Sequence, residues 1–122
     1  NLSAIICTNT TLDRNDLSSH HQNQSGGLSG RPLFEKSTRV LAQMRSATNS
    51  QIDLIGVGGV SSAEDAYKKI RAGANAVQLY SALVYESLSL IPKIAIGLND
   101  ILIRDGFENI KEAVGLDTEK WL

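Results

Sequence analysis

Residues 52–70 read IDLIGVGGVSSAEDAYKKI, an apolar run followed by a glycine-rich turn and an amphipathic segment. The apolar run predicts a strand over residues 52–57 that ends at Gly58-Gly59. A capping box, Ser61-Ser62-Ala63-Glu64, predicts a helix start at which Glu64 reaches back to the Ser61 amide. Gly73 predicts the left-handed end of that helix. The stretch therefore predicts one strand–turn–helix unit.

The same order occurs on both sides of this unit. Strands are predicted at residues 3–8, before Asn9-Thr10-Thr11, and at residues 76–80, before Ser81. A helix over residues 35–47 is expected to point Val40, Leu41 and Met44 inward. A longer helix from residue 90 is expected to end at Gly106. Its apolar stripe comprises Leu90, Ile91, Ile94, Ala95, Leu98, Ile101 and Leu102. A last short helix is predicted over residues 108–114, and Trp121 is expected to anchor the tail by packing.

The strand–helix alternation predicts right-handed crossovers and a parallel sheet. The short, apolar, β-branched strands indicate burial on both faces. A flavodoxin-like open sheet and a segment of a closed barrel both fit this pattern. Three units in 122 residues match the spacing of an eight-unit barrel of about 250 residues or more.

Composition excludes several classes of function. The net charge of −1 provides no positive field to gather nucleic acid. Cys7 is the single cysteine, so no internal disulfide is possible, and we expect a buried thiol. No apolar run is close to the length of about 20 residues that is needed to span a bilayer. His20 and His21 lack the spacing of a metal site, and we expect them to face solvent. Because the chain opens almost directly on a strand, we expect residues upstream of it.

Two strand ends together indicate a phosphate site. Gly56-Val57-Gly58-Gly59 leads into a helix N-terminus, where exposed amides and the helix dipole stabilise an anion. Tyr80-Ser81 ends the next strand and offers further amides and a hydroxyl. Barrels commonly bind phosphate between the loops after strands seven and eight. We therefore predict an α/β chain whose residues 1–122 form the last three βα units of a (βα)8 TIM barrel, with upstream strands absent.

Two further segments follow the first strand. Thr8-Asn9-Thr10-Thr11 suits recognition of a planar amide- or imide-like ligand, but equally suits a turn whose side chains cap their own backbone. Residues 12–34 form a long, weakly periodic segment that includes Gly26-Gly27-Leu28-Ser29-Gly30-Arg31-Pro32. Loops beyond about 12–15 residues are usually functional or disordered, so we interpret this one as an active-site loop.

Taken together, these motifs resemble the quinone-dependent (class 2) dihydroorotate dehydrogenases in order and spacing. The resemblance extends over nearly all 122 residues. The Asn9-Thr10-Thr11 string and the Gly-Gly-Leu-Ser-Gly segment separate it from the soluble class 1 enzymes. It implies a flavoprotein oxidoreductase of pyrimidine biosynthesis that binds FMN, oxidises dihydroorotate to orotate and passes electrons to a quinone. The expected location is peripheral to an inner membrane, bacterial or mitochondrial.

The resemblance also assigns site residues. It implies that FMN is contacted by Thr8, Gly30, Gly59, Tyr80 and Ser81. It implies that Asn9 and Thr10 bind substrate, and that the Tyr80 ring borders the quinone approach. The family's proton-abstracting serine, its flavin-contacting lysines and its membrane-associating helices lie upstream. We therefore expect no catalytic base and no metal site in this chain, and an inactive fragment in isolation.

Two alternatives remain open from the sequence. One is another phosphate-anchoring FMN barrel oxidoreductase, which shares the glycine turn but leaves Asn9-Thr10-Thr11 and residues 26–32 unexplained. The other is a partial barrel that serves as a non-catalytic binding or assembly module. Product analysis with dihydroorotate distinguishes the first alternative from a dihydroorotate dehydrogenase. The sequence preceding Asn1 distinguishes the second.

Overall fold

The computed structural model describes residues 2–15 and 17–122. The strands and α-helices are, in chain order, β1 (Ala4–Cys7), α1 (Phe34–Ala47), β2 (Asp53–Val57), α2 (Ala63–Ala72), β3 (Ala76–Gln78), α3 (Ser81–Glu86) and α4 (Leu90–Asp105). Short 3₁₀ helices cover Arg31–Leu33, Ile110–Ala113 and Thr118–Trp121. The three predicted strands and the three longer helices are therefore confirmed, with strand ends moved inward by one or two residues.

The strands form one parallel sheet in the order β1-β2-β3. Ile6 lies opposite Ile55, and Ile55 lies opposite Ala76. Each strand is therefore a neighbour of the next one along the chain, as in a barrel segment. The carboxyl ends of all three strands consequently meet at one edge of the sheet.

The helices cover only one face of this sheet. Leu54 from β2 packs with Leu41 of α1 and with Cys7 of β1, all buried. On the opposite face Ile6 and Ala76 are exposed. The predicted burial on both faces is therefore wrong for the described residues, because both crossovers place their helices on the same side. One-sided coverage is the arrangement of a barrel wall, whereas doubly wound sheets carry helices on both faces.

Helix α2 begins one residue later than the capping box predicted. Its N-cap is Ser62, whose hydroxyl accepts a hydrogen bond from the Asp65 amide at 3.1 Å. Asp65, rather than Glu64, reaches back and accepts from the amide and hydroxyl of Ser61, at 3.1 and 2.9 Å. The chemistry of a capping box is present, but Asp65 occupies the third helical position once the helix starts at Ala63. Gly73 ends the helix as predicted.

Some helical details differ from prediction. Helix α3 was not predicted, because its six residues are too few to show a period. Residues 108–114 contain a 3₁₀ helix, Ile110–Ala113, instead of an α-helix, and Asn109 caps it by accepting from the Lys111 amide at 3.0 Å. Three positions expected to point inward are exposed, namely Val40, Ile91 and Ala95.

The C-terminal tail, residues 115–122, packs against α1 and forms an ion pair with α2. Arg71 donates from Nε and Nη2 to the Asp117 carboxylate, the latter bond at 3.0 Å. The Arg71 hydrogen bonds, more than the bond from Lys120, lower the pKa of Asp117 to about 2. Trp121 packs edge-on against Phe34 with ring centroids 6.4 Å apart, which confirms it as a packing anchor. No helix within residues 2–15 and 17–122 has the length and apolarity to cross a membrane.

Candidate functional site

A cleft of about 630 Å³ opens at the carboxyl edge of the sheet. All three strand ends and the loop after β1 contribute to its wall. The seven predicted site residues all line it, namely Thr8, Asn9, Thr10, Gly30, Gly59, Tyr80 and Ser81. The fold therefore brings together residues that are up to 73 positions apart in the chain (81 − 8).

The glycine turn, Gly58-Gly59, forms the floor of this cleft. Both residues have positive φ, 110° and 74°. A Cβ on Gly58 would lie 2.7 Å from the Ser37 hydroxyl, and one on Gly59 would lie 2.6 Å from Phe34 Cβ. Close packing on α1 therefore requires glycine at both positions. Within the described chain, the amides of Gly59 and Val60 donate to no acceptor.

The end of β3 lies beside the glycine turn. Tyr80 and Ser81 follow this strand, and both line the same cleft as Gly59. The Ser81 hydroxyl donates to the Ser29 hydroxyl at 2.9 Å, which links the long loop to the start of α3. Gly30, at φ 81°, brings its backbone to the same place, where an added Cβ would meet Ser81 at 3.9 Å. The two strand ends of the expected phosphate site are thus adjacent, with open space between them.

The Thr8–Thr10 segment satisfies part of its own hydrogen bonding. Asn9 Oδ1 accepts from the Thr10 amide at 2.8 Å, and the Thr8 hydroxyl donates to the Asn9 carbonyl at 2.9 Å. The self-capping turn is therefore real. It also fixes the Asn9 carboxamide, whose Nδ2 donors have no partner within residues 2–15 and 17–122. A turn that caps itself can therefore still present two donors to a ligand.

The long loop leaves β1 and returns to it. Thr11 and Leu28 form an antiparallel bridge, with backbone bonds of 3.1 and 2.7 Å. The Arg14 guanidinium donates to the carbonyls of Gln24, at 3.3 Å, and Gly26. A Cβ on Gly27 would clash with the Thr10 side chain, so the loop lies directly against the predicted substrate residue. The Arg14 side chain therefore links the two ends of this loop.

A buried lysine lies behind the glycine turn and was missed in the sequence. Lys69 of α2 is 0% exposed. Its ammonium donates to the Ser37 hydroxyl at 2.6 Å and to the Phe34 carbonyl at 3.3 Å. Burial lowers the pKa of Lys69 to about 7. The sequence feature that indicates its burial is its position three residues after Ala66, on the apolar side of the helix.

Other candidates take no part in the cleft. His20 and His21 are both exposed in the loop, as expected. Cys7 is buried as expected, and burial raises the pKa of its thiol. Within residues 2–15 and 17–122, His, Cys, Asp and Glu side chains do not cluster in a group that could hold a metal ion.

Comparison with known proteins gives a consistent family. The family model for dihydroorotate dehydrogenase matches residues 1–102. A dihydroorotate dehydrogenase (quinone) from Cereibacter sphaeroides is 56% identical over 121 residues, covering 99% of this chain and 34% of the relative. The mitochondrial dihydroorotate dehydrogenase (quinone) of Oryza sativa is 52% identical over 118 residues, covering 95% and 25%.

The fold agrees with solved structures of the same family. A ligand-free crystal structure of DHODH from Eimeria tenella aligns with a TM-score of 0.91 at 40% identity, covering 94% of this chain and 32% of that one. The chain spans about a third of the length of most of the relatives it matches. The family match covers well over half of the chain and includes every residue of the cleft described above. This chain belongs to the dihydroorotate dehydrogenase family.

Proposed function

We propose that this chain supplies part of the cofactor and substrate site of a quinone-dependent dihydroorotate dehydrogenase. The complete protein would oxidise dihydroorotate to orotate in pyrimidine biosynthesis and pass the electrons to a quinone. The observation that supports this proposal most strongly is one cleft, in which the glycine turn, the Tyr80-Ser81 segment and the Thr8–Thr10 turn converge. Family membership and the names of the relatives support the same activity.

The cofactor of this proposal is FMN, and the cleft fits it. A volume of about 630 Å³ is in the range of small-molecule sites. The amides of Gly59 and Val60 stand unpaired beside the start of helix α2, whose dipole favours an anion. Ser81 adds a hydroxyl from the start of α3, just after the neighbouring strand. These groups would hold the phosphate, while Thr8 and the Gly30 backbone would contact the rest of the flavin nucleotide.

The substrate residues of this proposal are Asn9 and Thr10. The Asn9 side-chain oxygen Oδ1 accepts from the Thr10 amide, so the Nδ2 donors are directed by a fixed side chain. Donors suit the carboxylate and imide oxygens of dihydroorotate, since hydrogen bonds to charged groups are the stronger class. The Thr10 hydroxyl is restrained from the other side by Gly27. The chain would thus orient the substrate by hydrogen-bond donors whose positions are already fixed in the empty site.

The chemistry is divided between this chain and the remainder of the protein. A bound flavin supplies the acceptor for the hydride that leaves C6 of dihydroorotate. We propose that the serine that takes the C5 proton belongs to an earlier part of the barrel. The contribution of this chain is alignment, since holding two reactants in register removes much of the entropic barrier.

An apolar surface beside the cleft suits a quinone. Tyr80 and Tyr85 are 80% and 86% exposed, and both line the cleft. Val84 and Leu88 follow Tyr80 at intervals of four residues and are also exposed. We propose that the Tyr80 ring borders the quinone approach. Peripheral association with an inner membrane, through a segment outside residues 1–122, completes this proposal.

The test is an assay of the full-length protein with dihydroorotate and a soluble quinone analogue, with orotate followed by its absorbance. Asn9→Ala should lower kcat/KM for dihydroorotate by about 10- to 100-fold, because lost bonds to a charged ligand cost about 1.5–3 kcal/mol. Its flavin content should stay unchanged. Asn15→Ala, in the same loop but outside the cleft, is the matched control and should retain activity.

Two results would contradict the proposal. Flavin-loaded protein that oxidises a 2-hydroxy acid and leaves dihydroorotate unchanged would favour the other class of FMN barrel. Full-length protein that binds neither flavin nor dihydroorotate would favour a non-catalytic module.

A further inference from the structure

Lys69 places a cationic side chain in the interior directly behind the cleft. Its Nζ lies 4.8 Å from the centre of the Phe34 ring, in addition to its bonds with the Ser37 hydroxyl and the Phe34 carbonyl. Within the described residues, no carboxylate lies within ion-pair distance of this ammonium. The charged form is therefore hydrogen-bonded but not neutralised.

Such a position is costly for a lysine. Moving an ammonium out of water without a counter-ion is strongly unfavourable, and the group responds by a lowered pKa. Two titratable groups act against that lowering, Asp65 from α2 and Cys7 from β1. Helix α1 presents the Ser37 hydroxyl together with the Phe34 carbonyl and ring. An apolar residue would fill the same space without this cost.

The ammonium is connected to the back of the glycine turn. Ser37 accepts from Lys69, and its hydroxyl lies 3.3 Å from the Gly58 carbonyl oxygen. The opposite side of Gly58-Gly59 faces the cleft. Asp65, the acidic group on α2 that acts to raise the Lys69 pKa, is already occupied by the amide and hydroxyl of Ser61. The Lys69 charge is thus available to an anion on the other side of the turn.

We propose that Lys69 is a positioning residue that, through Ser37 and the Gly58-Gly59 backbone, selects a phosphate group at the glycine turn. The phosphate supplies the missing negative charge, and the ammonium holds the turn in the shape that receives it. This inference rests on the proposed function, because the phosphate is that of the flavin nucleotide.

Proton uptake follows from the same arrangement. In the empty site burial lowers the pKa of Lys69 to about 7, so the ammonium can lose its proton close to neutral pH. A bound anion favours the charged form and raises this pKa. Binding of the phosphorylated ligand therefore takes up a proton, and its affinity should fall as pH rises above 7.

The experiment compares FMN with riboflavin, which differ only in the phosphate, on full-length apoprotein. Lys69→Met should lower the preference for FMN over riboflavin by about tenfold or more, with riboflavin affinity nearly unchanged. Lys68→Met removes the same charge from an exposed site on the same helix and should leave the preference intact. Equal weakening of both flavins by Lys69→Met would overturn the proposal, since a merely structural role acts on both alike.

A second measurement covers the case in which Lys69→Met does not fold. The second ionisation of a phosphate monoester lies at about pH 6, so the ligand is fully ionised from pH 7.5 upward. The wild-type preference for FMN over riboflavin should fall roughly tenfold between pH 7.5 and 9. An equal preference at both pH values would then overturn the proposal. Failure of the wild-type protein to bind either flavin would instead overturn the proposed function.

Discussion

At the scale of single residues, Gly59 shows how packing and site geometry impose the same requirement. Its φ of 74° disfavours a side chain, and its missing Cβ leaves room for Phe34 at the start of helix α1. Gly59→Ala in the full-length protein should therefore destabilise the fold by about 2–4 kcal/mol, through strain of about 1 kcal/mol together with a clash that costs about 1–3 kcal/mol. Urea unfolding measures the loss, and flavin binding should weaken with it.

Gly106→Ala is the matched control for this substitution. Gly106 has nearly the same φ, 78°, but its Cβ would meet no atom within 4 Å. Only the conformational cost of about 1 kcal/mol should then appear. Equal losses at the two glycines would show that the contact with Phe34 contributes nothing.

Individual site residues were predictable to different degrees. Gly59 and the Thr8–Thr10 turn could be identified because they follow strands, whereas the assignment of Gly30 came from the family resemblance. The local bonds of Asn9 could not be chosen in advance, since self-capping and ligand binding need the same residue types. Lys69 was missed because a lysine in an amphipathic helix is ordinarily solvated, and only its position on the apolar side of α2 indicated burial.

Among the secondary-structure elements, the ion pair between Arg71 of helix α2 and Asp117 of the C-terminal tail predicts that the free energy of unfolding depends on pH. The Arg71 bonds lower the pKa of Asp117 from 3.8 to about 2. A carboxyl with a lowered pKa stabilises the fold above its ordinary pKa, and this stability is lost as pH falls from about 4 through 2. Asp117→Asn should cost at most about 2 kcal/mol at pH 7 and nearly nothing at pH 2. Denaturant unfolding at both pH values measures it.

Glu119→Gln provides the comparison for Asp117. Glu119 is an exposed carboxylate in the same tail, with no ion pair among the described residues. Its removal should change the unfolding free energy little at either pH. A constant cost of Asp117→Asn across the pH range would contradict the assignment to its ionised form.

Helices and strands were predicted correctly where the apolar pattern extends over enough residues to be recognised. Helix α4, with 16 residues, and the strand β2 show their patterns clearly, whereas α3 has only six residues. The predicted start of α2 was wrong by one residue because Ser61 and Ser62 are both good caps. The observed start at Ala63 places Asp65, not Glu64, at the third helical position. Short 3₁₀ turns leave no distinct pattern, since they are too brief to repeat.

At the scale of the whole molecule, a one-sided sheet implies a wider structure around it. Ile6 is 55% exposed on the uncovered face, and β1 and β3 each pair on one side only among the described strands. The parallel α/β class was predictable from strand–helix alternation. The one-sided burial was not, because the periodicity of a strand does not tell whether its second face meets helices or other strands.

The isolated 122-residue chain should consequently associate. Open sheet edges and apolar side chains on one face promote pairing with further copies. The most exposed large apolar side chains include Leu12, Tyr80, Val84, Tyr85 and Leu88. Sedimentation velocity should show dimers or aggregates at micromolar concentration. A monomer with a cooperative thermal transition would contradict this expectation.

The proposed site holds the phosphate of one flavin nucleotide between two neighbouring strand ends. A crystal structure of the full-length protein with FMN tests it most directly. Phosphate oxygens should lie within hydrogen-bond distance of the Gly59 backbone on one side and of Ser81 on the other. A phosphate bound elsewhere, or a cleft filled by side chains from the remainder of the protein, would contradict it.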